Sequence, residues 1–508
     1  ASVGIAGSGG LGGGGPGSKD AVAATSGTNG RGGGGGAGGF SDTSQGIGGN
    51  GGSGTVIVRY LGPEVANGGV ASPGIALAKG YTLHTFSITE GQMTSGSFSF
   101  IPKVSPNAVT VSGNISGSGN LNLNALGGSF TFLGDNTYTG TTTINAGTLQ
   151  IGAGGTTGSL TSSSIINNAG LNFNRSNDLN YAGTISGAGT VTKLGGGALT
   201  LSGSNTYSGT TTVSEGTLQI GAGGTSGDLT SVSIINNALL SFSRSDDLIY
   251  AGTISGSGTF TKSGTGTLTL SGNNTYSGTT TISGGTLQIG AGDASGSLLS
   301  NSIINNAALS FNRSDSYNYG GSISGTGILT KAGVGTLTLS SNNTYSGTTT
   351  VSEGTLQIGA GGTSGSLTSS SIINNAWLNF NRSNDLTYAG TISGPGIITK
   401  LGNGSLTLSG NNTYSGGTTI SGGILNIGTQ SVGSLGAITS SAIGTGSIAI
   451  QNGAALNLLG HSIYNPVVMA GDGVVTYGGI ATKQSVPQYF RRHRVGYFDY
   501  RFWTFLNR

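Results

Sequence analysis

Residues 266–290 read GTLTLSGNNTYSGTTTISGGTLQIG, and closely similar segments occupy about 128–152, 197–221, 335–359 and 404–428. Equivalent positions recur with a 69-residue spacing, and no insertion or deletion interrupts it from about Ser112 to Ile427. Loops between independent elements tolerate changes of length, so a fixed spacing predicts a stacked, repetitive architecture. The repeated positions are Tyr138, Tyr207, Tyr276, Tyr345, Tyr414, Arg175, Arg244, Arg313, Arg382, Lys193, Lys262, Lys331 and Lys400.

Short alternating segments within each unit predict β-strands. Leu218 and Ile220 fall on one face of such a segment and Gln219 on the other, and Leu199 with Leu201 repeats the pattern. Gly or Asn ends most of these segments, which favours sharp corners. Strands this short are stable only when they stack on copies of themselves.

These features predict an all-β fold, a right-handed parallel β-helix (β-solenoid) built from the 69-residue units. Dividing 69 by three gives 23 residues for one turn, hence about three turns per unit and roughly fifteen turns in all. Equivalent side chains would then stack directly above one another. A sandwich of antiparallel hairpins is the competing all-β interpretation, but it accounts poorly for the fixed spacing.

Composition excludes several classes of protein. Of 508 residues 103 are Gly, none is Cys and 7% are charged, which argues against a helix-rich enzyme and against disulfide or thiolate metal sites. The net charge of +3, without a basic stripe, argues against nucleic acid as a partner. No apolar run is long enough to cross a membrane as a helix, so no transmembrane segment is expected.

The sequence offers no catalytic, cofactor-binding or metal-binding set, and we expect no enzyme and no cofactor. Asp246 and Asp247 are adjacent, so on a strand they would face opposite ways, and the three histidines, His84, His461 and His493, lie far apart. Gly7 to Gly12 fits a dinucleotide-binding pattern by chance only. A polysaccharide-processing β-helix enzyme is a remote alternative, and ice binding by the recurrent Thr triplets is another.

The arginine row is expected to be structural. Arg175, Arg244 and Arg382 each precede an Asp by three residues, whereas Arg313 precedes Asp315 by two. We expect each Arg and Asp to pair across a corner of the solenoid. A binding role for the row is the alternative.

The repeated segments resemble the autotransporter-associated β-strand repeat. That resemblance implies a passenger-type parallel β-helix, exported to the surface of a Gram-negative-type bacterium, with a stalk or adhesin role. The last copy ends at about position 428, and the segment from there to Arg508 is too short for the outer-membrane barrel of a complete autotransporter. We therefore expect either a passenger fragment or a repeat protein exported by another route.

The ends of the chain differ from the repeats. Residues 1–54 form a glycine-rich arm, 55–108 a small β module, 109–478 the repeat rod and 479–508 an aromatic and Arg-rich cap or docking segment. The arm and the module resemble glycine-rich surface and tail-fibre-like proteins. Binding of single-stranded nucleic acid or of a membrane interface by the last segment is the alternative to docking, and a sequencing error is another. The possible docking residues are Tyr489, Phe490, Tyr497, Phe498 and Trp503.

Two functions follow for an extracellular structural protein of this kind. The first is a rigid subunit of a surface fibre or filament that self-associates end to end through its termini, since a solenoid has unpaired edges at both ends. The second is a monomeric passenger stalk or adhesin tethered to the cell surface, with a possible host or surface receptor. Neither needs a nucleic acid partner.

Overall fold

The computed structural model describes residues 108–434 and 436–477, together with the backbone of short strands between residues 40 and 100 and at 480–483. Within these residues every regular element is a β-strand. Nothing helical in this part is long and apolar enough to cross a membrane. The glycine-rich arm and the predicted docking residues Tyr489, Phe490, Tyr497, Phe498 and Trp503 fall outside it, apart from two short strands in the arm.

The strands are numbered in chain order. Those before the first complete ten-strand unit are β1 (Phe40–Ser41), β2 (Ser44–Gln45), β3 (Thr55–Leu61), β4 (Ala66–Asn67), β5 (Val70–Ala71), β6 (Tyr81–Ser87), β7 (Ser97–Phe100), β8 (Ala108–Val111), β9 (Asn120–Phe132), β10 (Asp135–Asn136), β11 (Thr142–Ile151), β12 (Ser159–Leu160), β13 (Ser164–Asn167), β14 (Gly170–Phe173), β15 (Leu179–Tyr181) and β16 (Thr184–Ser186).

The first two complete units contain equivalent strands in the same order. They are β17 (Thr190–Lys193), β18 (Ala198–Leu201), β19 (Ser204–Asn205), β20 (Thr211–Val213), β21 (Thr217–Ile220), β22 (Asp228–Leu229), β23 (Ser233–Asn236), β24 (Leu239–Phe242), β25 (Leu248–Tyr250), β26 (Thr253–Ser255), β27 (Thr259–Lys262), β28 (Thr267–Leu270), β29 (Asn273–Asn274), β30 (Thr280–Ile282), β31 (Thr286–Ile289), β32 (Ser297–Leu298), β33 (Ser302–Asn305), β34 (Ala308–Phe311), β35 (Tyr317–Tyr319) and β36 (Ser322–Ser324).

The third unit repeats the pattern and is followed by less regular turns. Its strands and those after it are β37 (Ile328–Lys331), β38 (Thr336–Leu339), β39 (Asn342–Asn343), β40 (Thr349–Val351), β41 (Thr355–Ile358), β42 (Ser366–Leu367), β43 (Ser371–Asn374), β44 (Trp377–Phe380), β45 (Leu386–Tyr388), β46 (Thr391–Ser393), β47 (Ile397–Lys400), β48 (Ser405–Leu408), β49 (Thr418–Ile420), β50 (Ile424–Ile427), β51 (Val432–Ser434), β52 (Ala437–Ser440), β53 (Ile448–Ile450), β54 (Ala455–Asn457), β55 (Val467–Met469), β56 (Val474–Tyr477) and β57 (Ile480–Lys483).

The chain forms two compact bodies, residues 1–219 with 226–231 and residues 220–225 with 232–508. From residue 108 onward, the described part of each body is a parallel β-solenoid in which most strands pair with the third strand after them, so three strands make one turn. One face of the first body carries six strands, β8, β9, β11, β14, β17 and β20. The corresponding series in the second body has twelve strands that are divided among three sheets, and the two bodies together contain about 18 turns: β23 and β26; β29 and β32; and β35, β38, β41, β44, β47, β49, β53 and β55. The predicted parallel β-solenoid is therefore confirmed, with more turns than the fifteen expected.

Most turns are shorter than the length that the sequence predicted. Leu268 pairs with Leu287 and Leu309 pairs with Leu329, so a turn here takes 19 or 20 residues. Turns that include a glycine-rich loop, such as 359–365 or its equivalent 290–296, are longer. Asn342 pairs with Ser366 across such a loop, and 24 residues separate them. The 23 residues per turn expected from dividing 69 by three therefore fit only the longer turns.

One unit contains ten strands, which is three and one-third turns rather than three. Equivalent strands of successive units consequently belong to different sheets: β28 lies in the sheet from β25 to β46, and β38 in the sheet from β35 to β55. The expectation that equivalent side chains stack directly above one another is therefore wrong. Each unit instead begins one face further round the solenoid than the unit before it.

The core follows the strand alternation that the sequence predicts. Leu218 and Leu240 are buried, as are their equivalents in every unit, whereas the alternate positions Thr217, Gln219 and Leu239 are more exposed. Corners need glycine where the chain passes close to the turn before it. Gly256 has φ +104°, and a Cβ there would lie 2.2 Å from the carbonyl oxygen of Asn236. Close stacking of backbone on backbone thus explains much of the glycine content.

Candidate functional site

The repeated polar residues of each unit lie at the corners of the solenoid and inside it, and we call these groups the corner clusters. They consist of the tyrosine, arginine and lysine of each unit together with a buried asparagine. Their contacts decide whether they are available for chemistry or engaged in holding turns together.

The repeated tyrosines are buried and point inward. Tyr138, Tyr207, Tyr276, Tyr345 and Tyr414 have no exposed surface. Each phenolic oxygen hydrogen-bonds the hydroxyl of the threonine four residues later, at 2.5–2.7 Å. Burial raises the pKa of Tyr138 to about 12 and raises the pKa of Tyr276, Tyr345 and Tyr414 as well. These phenols stay protonated at neutral pH and serve packing.

The hydroxyl chain continues from one turn to the next. Thr142 Oγ1 donates to Ser162 Oγ at 3.1 Å, and Ser162 Oγ donates to backbone carbonyls nearby. Thr211 and Ser231 repeat this contact in the next unit. A buried hydroxyl without a partner costs about 1–3 kcal/mol, so the chain of contacts is what allows these polar groups inside.

The arginines are nearly buried and clamp the glycine-rich loop of the preceding turn. Arg313 is 8% exposed, and its Nη1 and Nη2 donate to the carbonyl oxygens of Gly296 and Ala294, each at 2.5 Å. Arg382 makes the same contacts with Gly365 and Thr363. The sequence placed Arg175, Arg244, Arg313 and Arg382 at corners, which matches, but their guanidinium groups face the protein backbone rather than solvent.

The predicted acidic partner is confirmed for Arg313 and wrong for Arg175, Arg244 and Arg382. Arg244 pairs with Asp246 at 2.7 Å, not with Asp247, and Arg313 pairs with Asp315 at 2.8 Å. The partner is therefore two residues on, where Arg382 has Asn384. These hydrogen bonds from arginine lower the pKa of Asp246 and Asp315.

The aspartates three residues after the arginines have a different role. Asp178, Asp247 and Asp385 accept a hydrogen bond from the backbone N–H of a residue in the next turn, at 2.8–3.2 Å. The chain bends at the second residue after the arginine, so the side chain of the third residue after it faces the following turn. The repeat pattern located the acid along the chain but not the direction of its side chain.

The lysine row is a feature whose role sequence reasoning missed. Lys193, Lys262, Lys331 and Lys400 are 2% exposed and occupy the last, inward position of a strand. The Nζ atom of Lys400 donates to the carbonyl oxygens of Leu401, Gly402 and Gly422, at 2.6–3.1 Å. Burial lowers the pKa of Lys331 and Lys400 to about 8. The sequence signal for this burial is strand alternation. Lys331 lies two residues after the inward-facing Leu329 and therefore falls on the same face of the strand.

Buried asparagines join three successive turns. Asn274 Oδ1 accepts from the backbone N–H of Ile254, 20 residues before it, and Asn274 Nδ2 donates to the carbonyl of Ser297, 23 residues after it. Asn343 repeats the arrangement with Ile323 and Ser366. The amide thus provides both the donor and the acceptor that neighbouring turns need at this corner.

The polar groups of the corner clusters are engaged within the solenoid. Their guanidinium and ammonium groups, and the aspartates beside the arginines, are hydrogen-bonded to the backbone or to each other. Among residues 108–434 and 436–477, no three His, Asp or Glu side chains lie close enough together to hold a metal ion. The clusters are built to join turns of a solenoid.

Five segments of the chain match the family model of the passenger-associated-transport-repeat: residues 127–151, 191–220, 260–289, 329–358 and 398–427. A stretch of 74 residues, 14% of this chain, is 50% identical to the Adhesin BmaC autotransporter of Brucella suis biovar 1 (strain 1330). The chain spans 2% of the length of that relative. No solved structure matches the chain.

These similarities agree with the solenoid fold. The chain carries passenger-associated-transport-repeats, and the matches indicate an extracellular or cell-surface protein of Gram-negative bacteria. The predicted passenger resemblance and location are confirmed. Of the two predicted functions, the similarities favour the passenger stalk or adhesin over the filament subunit.

Proposed function

We propose that this chain is a stalk segment of an autotransporter adhesin, displayed on the surface of a Gram-negative bacterium. The observation that carries the proposal is the coincidence of sequence family and fold. Each of the five passenger repeats falls on strands of the parallel solenoid, for example residues 329–358 on β37 to β41. The relative that shares 50% identity over 74 residues bears the name of an adhesin.

The corner clusters support a structural rather than an enzymatic role. Their charged groups fix loops and close turns, as Arg313 does for the loop at 290–296. A parallel solenoid becomes about 4.8 Å longer with each turn, so adding turns lengthens the molecule. A protein that holds a binding region away from the cell needs this property and no catalytic group.

Surface display is tested with antibodies against residues 128–428. In the bacterium that encodes this protein they should label intact cells, and a strain that lacks the gene should remain unlabelled. Antibodies against a periplasmic protein give the control for leaky envelopes. Labelling that requires permeabilised cells contradicts the proposal.

The stalk and filament interpretations differ in self-association. A stalk segment should sediment as a monomer from micromolar to high micromolar concentration and show isolated particles by negative-stain microscopy. A filament subunit should form uniform threads that lengthen with concentration. Threads in purified protein would favour the filament over the stalk.

A further inference from the structure

The start of β44, in the second body, exposes an indole that the other units lack. Trp377, at the start of β44, is 51% exposed, and Ile397, at the start of β47, is 39% exposed. Pro395, at the corner before β47, is exposed too. The positions equivalent to Trp377 hold Gly170, Leu239 and Ala308. The repeat therefore folds without an indole at this position, and folding does not account for its presence.

The indole sits on a flat surface of known register. Trp377 pairs with Thr355 on one side and with Ile397 on the other. Two residues along the same strands, Asn379 lies between Gln357 and Thr399. Neighbouring strands are about 4.8 Å apart, and residues i and i+2 on one face about 6.6 Å. The indole of Trp377 therefore has an amide side chain and threonine hydroxyls beside it, at distances close to the diameter of a small ring-shaped molecule.

These polar groups have free hydrogen-bonding capacity. In the described part of the chain the side chains of Thr355, Asn379 and Thr399 form no hydrogen bond with the protein. Gln357 Nε2 donates to the carbonyl of Gly359 at 3.0 Å, which leaves Gln357 Oε1 to accept. Donors and acceptors therefore border the indole on one side.

Charge and area restrict the occupant. The six outward positions, Thr355, Gln357, Trp377, Asn379, Ile397 and Thr399, carry no charge, and the exposed Glu353 lies at the corner before them. An acidic neighbour disfavours anionic ligands. The exposed half of an indole offers on the order of 100 Å², far below the ~800 Å² per partner of a stable protein interface. A second copy of the chain or another folded protein is too large for this patch.

We infer that Trp377, Asn379, Thr355 and Thr399 form a binding platform for a neutral carbohydrate. A pyranose presents C–H groups on one face, which stack on the indole, and hydroxyl groups at its edge, which reach the amide and the two threonine hydroxyls. The inference rests on the proposed adhesin role and deepens it by naming a ligand class.

The test uses the full chain and a panel of immobilised neutral oligosaccharides of glucose, galactose, mannose, fucose, N-acetylglucosamine and N-acetylgalactosamine, with sialylated and sulfated forms beside them. At least one neutral glycan should bind. Its affinity should fall about tenfold or more in W377A and about threefold or more in N379A. W377F should retain part of the binding because a ring remains.

Matched variants separate binding from folding. W377A introduces the residue that occupies the equivalent position 308, so its circular dichroism should equal that of the unmodified chain. V334A removes another exposed apolar side chain, 67% exposed, and should bind like the unmodified chain. The inference is overturned by absence of neutral-glycan binding, by binding that W377A leaves unchanged, by preference for anionic glycans, or by self-association that W377A abolishes.

Failure here and failure of the proposed function are distinguishable. Labelled intact cells together with a chain that binds no neutral glycan would remove only the carbohydrate platform. Glycan binding by purified protein, with no labelling of intact cells, would remove the surface role and keep the platform.

Discussion

At the scale of single residues, the corner clusters show how a solenoid accommodates charge. Lys331 is 2% exposed and has three carbonyl oxygens around its ammonium group, from Ala332, Gly333 and Glu353. A buried charge is tolerated only when hydrogen bonds replace its hydration. Backbone carbonyls at a corner, which have no ladder partner, supply them. The ammonium group and the corner carbonyls therefore satisfy each other's hydrogen-bonding requirements.

The buried lysines predict an unusual dependence of stability on pH. Burial lowers the pKa of Lys331 and Lys400 from 10.5 to about 8, so between pH 8 and 10.5 the unfolded chain binds more protons than the folded one. The free energy of unfolding should rise with pH in this interval. Guanidinium unfolding at pH 7.5, 8.5 and 9.5 measures it.

The tyrosines limit that rise. Burial raises the pKa of Tyr138 from 10.0 to about 12, so the stability that it contributes is present below pH 10 and is lost as pH approaches 12. Stability should therefore pass through a maximum near pH 10. The double variant K331M/K400M should show a flatter rise below pH 10 and an unchanged fall above it. An equal rise in the variant would contradict the role of these lysines.

The arginine clamp gives a prediction that depends on shape rather than charge. Arg313→Lys keeps the charge but cannot reach the carbonyls of Ala294 and Gly296 with a planar fork. We expect a loss of about 1–3 kcal/mol in stability and faster amide exchange in the loop at 290–296. Asp315→Asn is the control, because Asn stands at that position after Arg175 and Arg382, and it should cost less than about 0.5 kcal/mol. Equal effects of the two variants would contradict the clamp.

At the scale of single elements, each strand is stable only through the strands above and below it. β31 has four residues, pairs with β28 on one side and β34 on the other, and buries Leu287 and Ile289. An isolated strand of this length does not persist in water. Each strand therefore depends on keeping its alternation of inward and outward residues.

That alternation predicts opposite outcomes for neighbouring substitutions on β31. Leu287→Asp places a charge in the stacked interior and should cost at least about 4 kcal/mol, with loss of the β-sheet circular dichroism signal at moderate temperature. Gln288→Asp changes the outward neighbour and should cost less than about 1 kcal/mol. Similar melting temperatures for the two variants would show that the assigned inward face is wrong.

At the scale of the molecule, the unit of three and one-third turns sets the surface. The strands equivalent to β28 move to another sheet with each unit, so a repeated outward side chain points in a new direction in every unit. A surface feature that faces only one side of the solenoid must therefore occur in one unit only. Trp377 satisfies this condition.

The unit length predicts which deletions the solenoid tolerates. Removing residues 259–327, one complete unit, joins Gly258 to Ile328, so β37 takes the place of the equivalent β27. The β-sheet circular dichroism per residue and cooperative unfolding should be retained. Removing residues 259–281, a third of a unit, also truncates β30 and should lower stability sharply. Equal tolerance of both deletions would contradict a fractional number of turns per unit.

The sequence alone determined the fold class, the strand faces and the family resemblance, because period-two alternation and a fixed 69-residue spacing are properties of the chain itself. The inward positions of Leu218 and Leu199 were predicted from parity. The corner position of the arginines followed from the same pattern.

Only the tertiary structure decided how many residues make a turn and which side chains meet across turns. The length of a turn depends on how tightly each corner bends against the backbone of the turn before it, and this is a contact between residues that are distant in the chain. The partner of Arg244, the carbonyl cage of Lys400 and the surroundings of Trp377 all follow from that stacking register. A repeat length fixes none of them, because a unit of given length can be wound into a whole or a fractional number of turns.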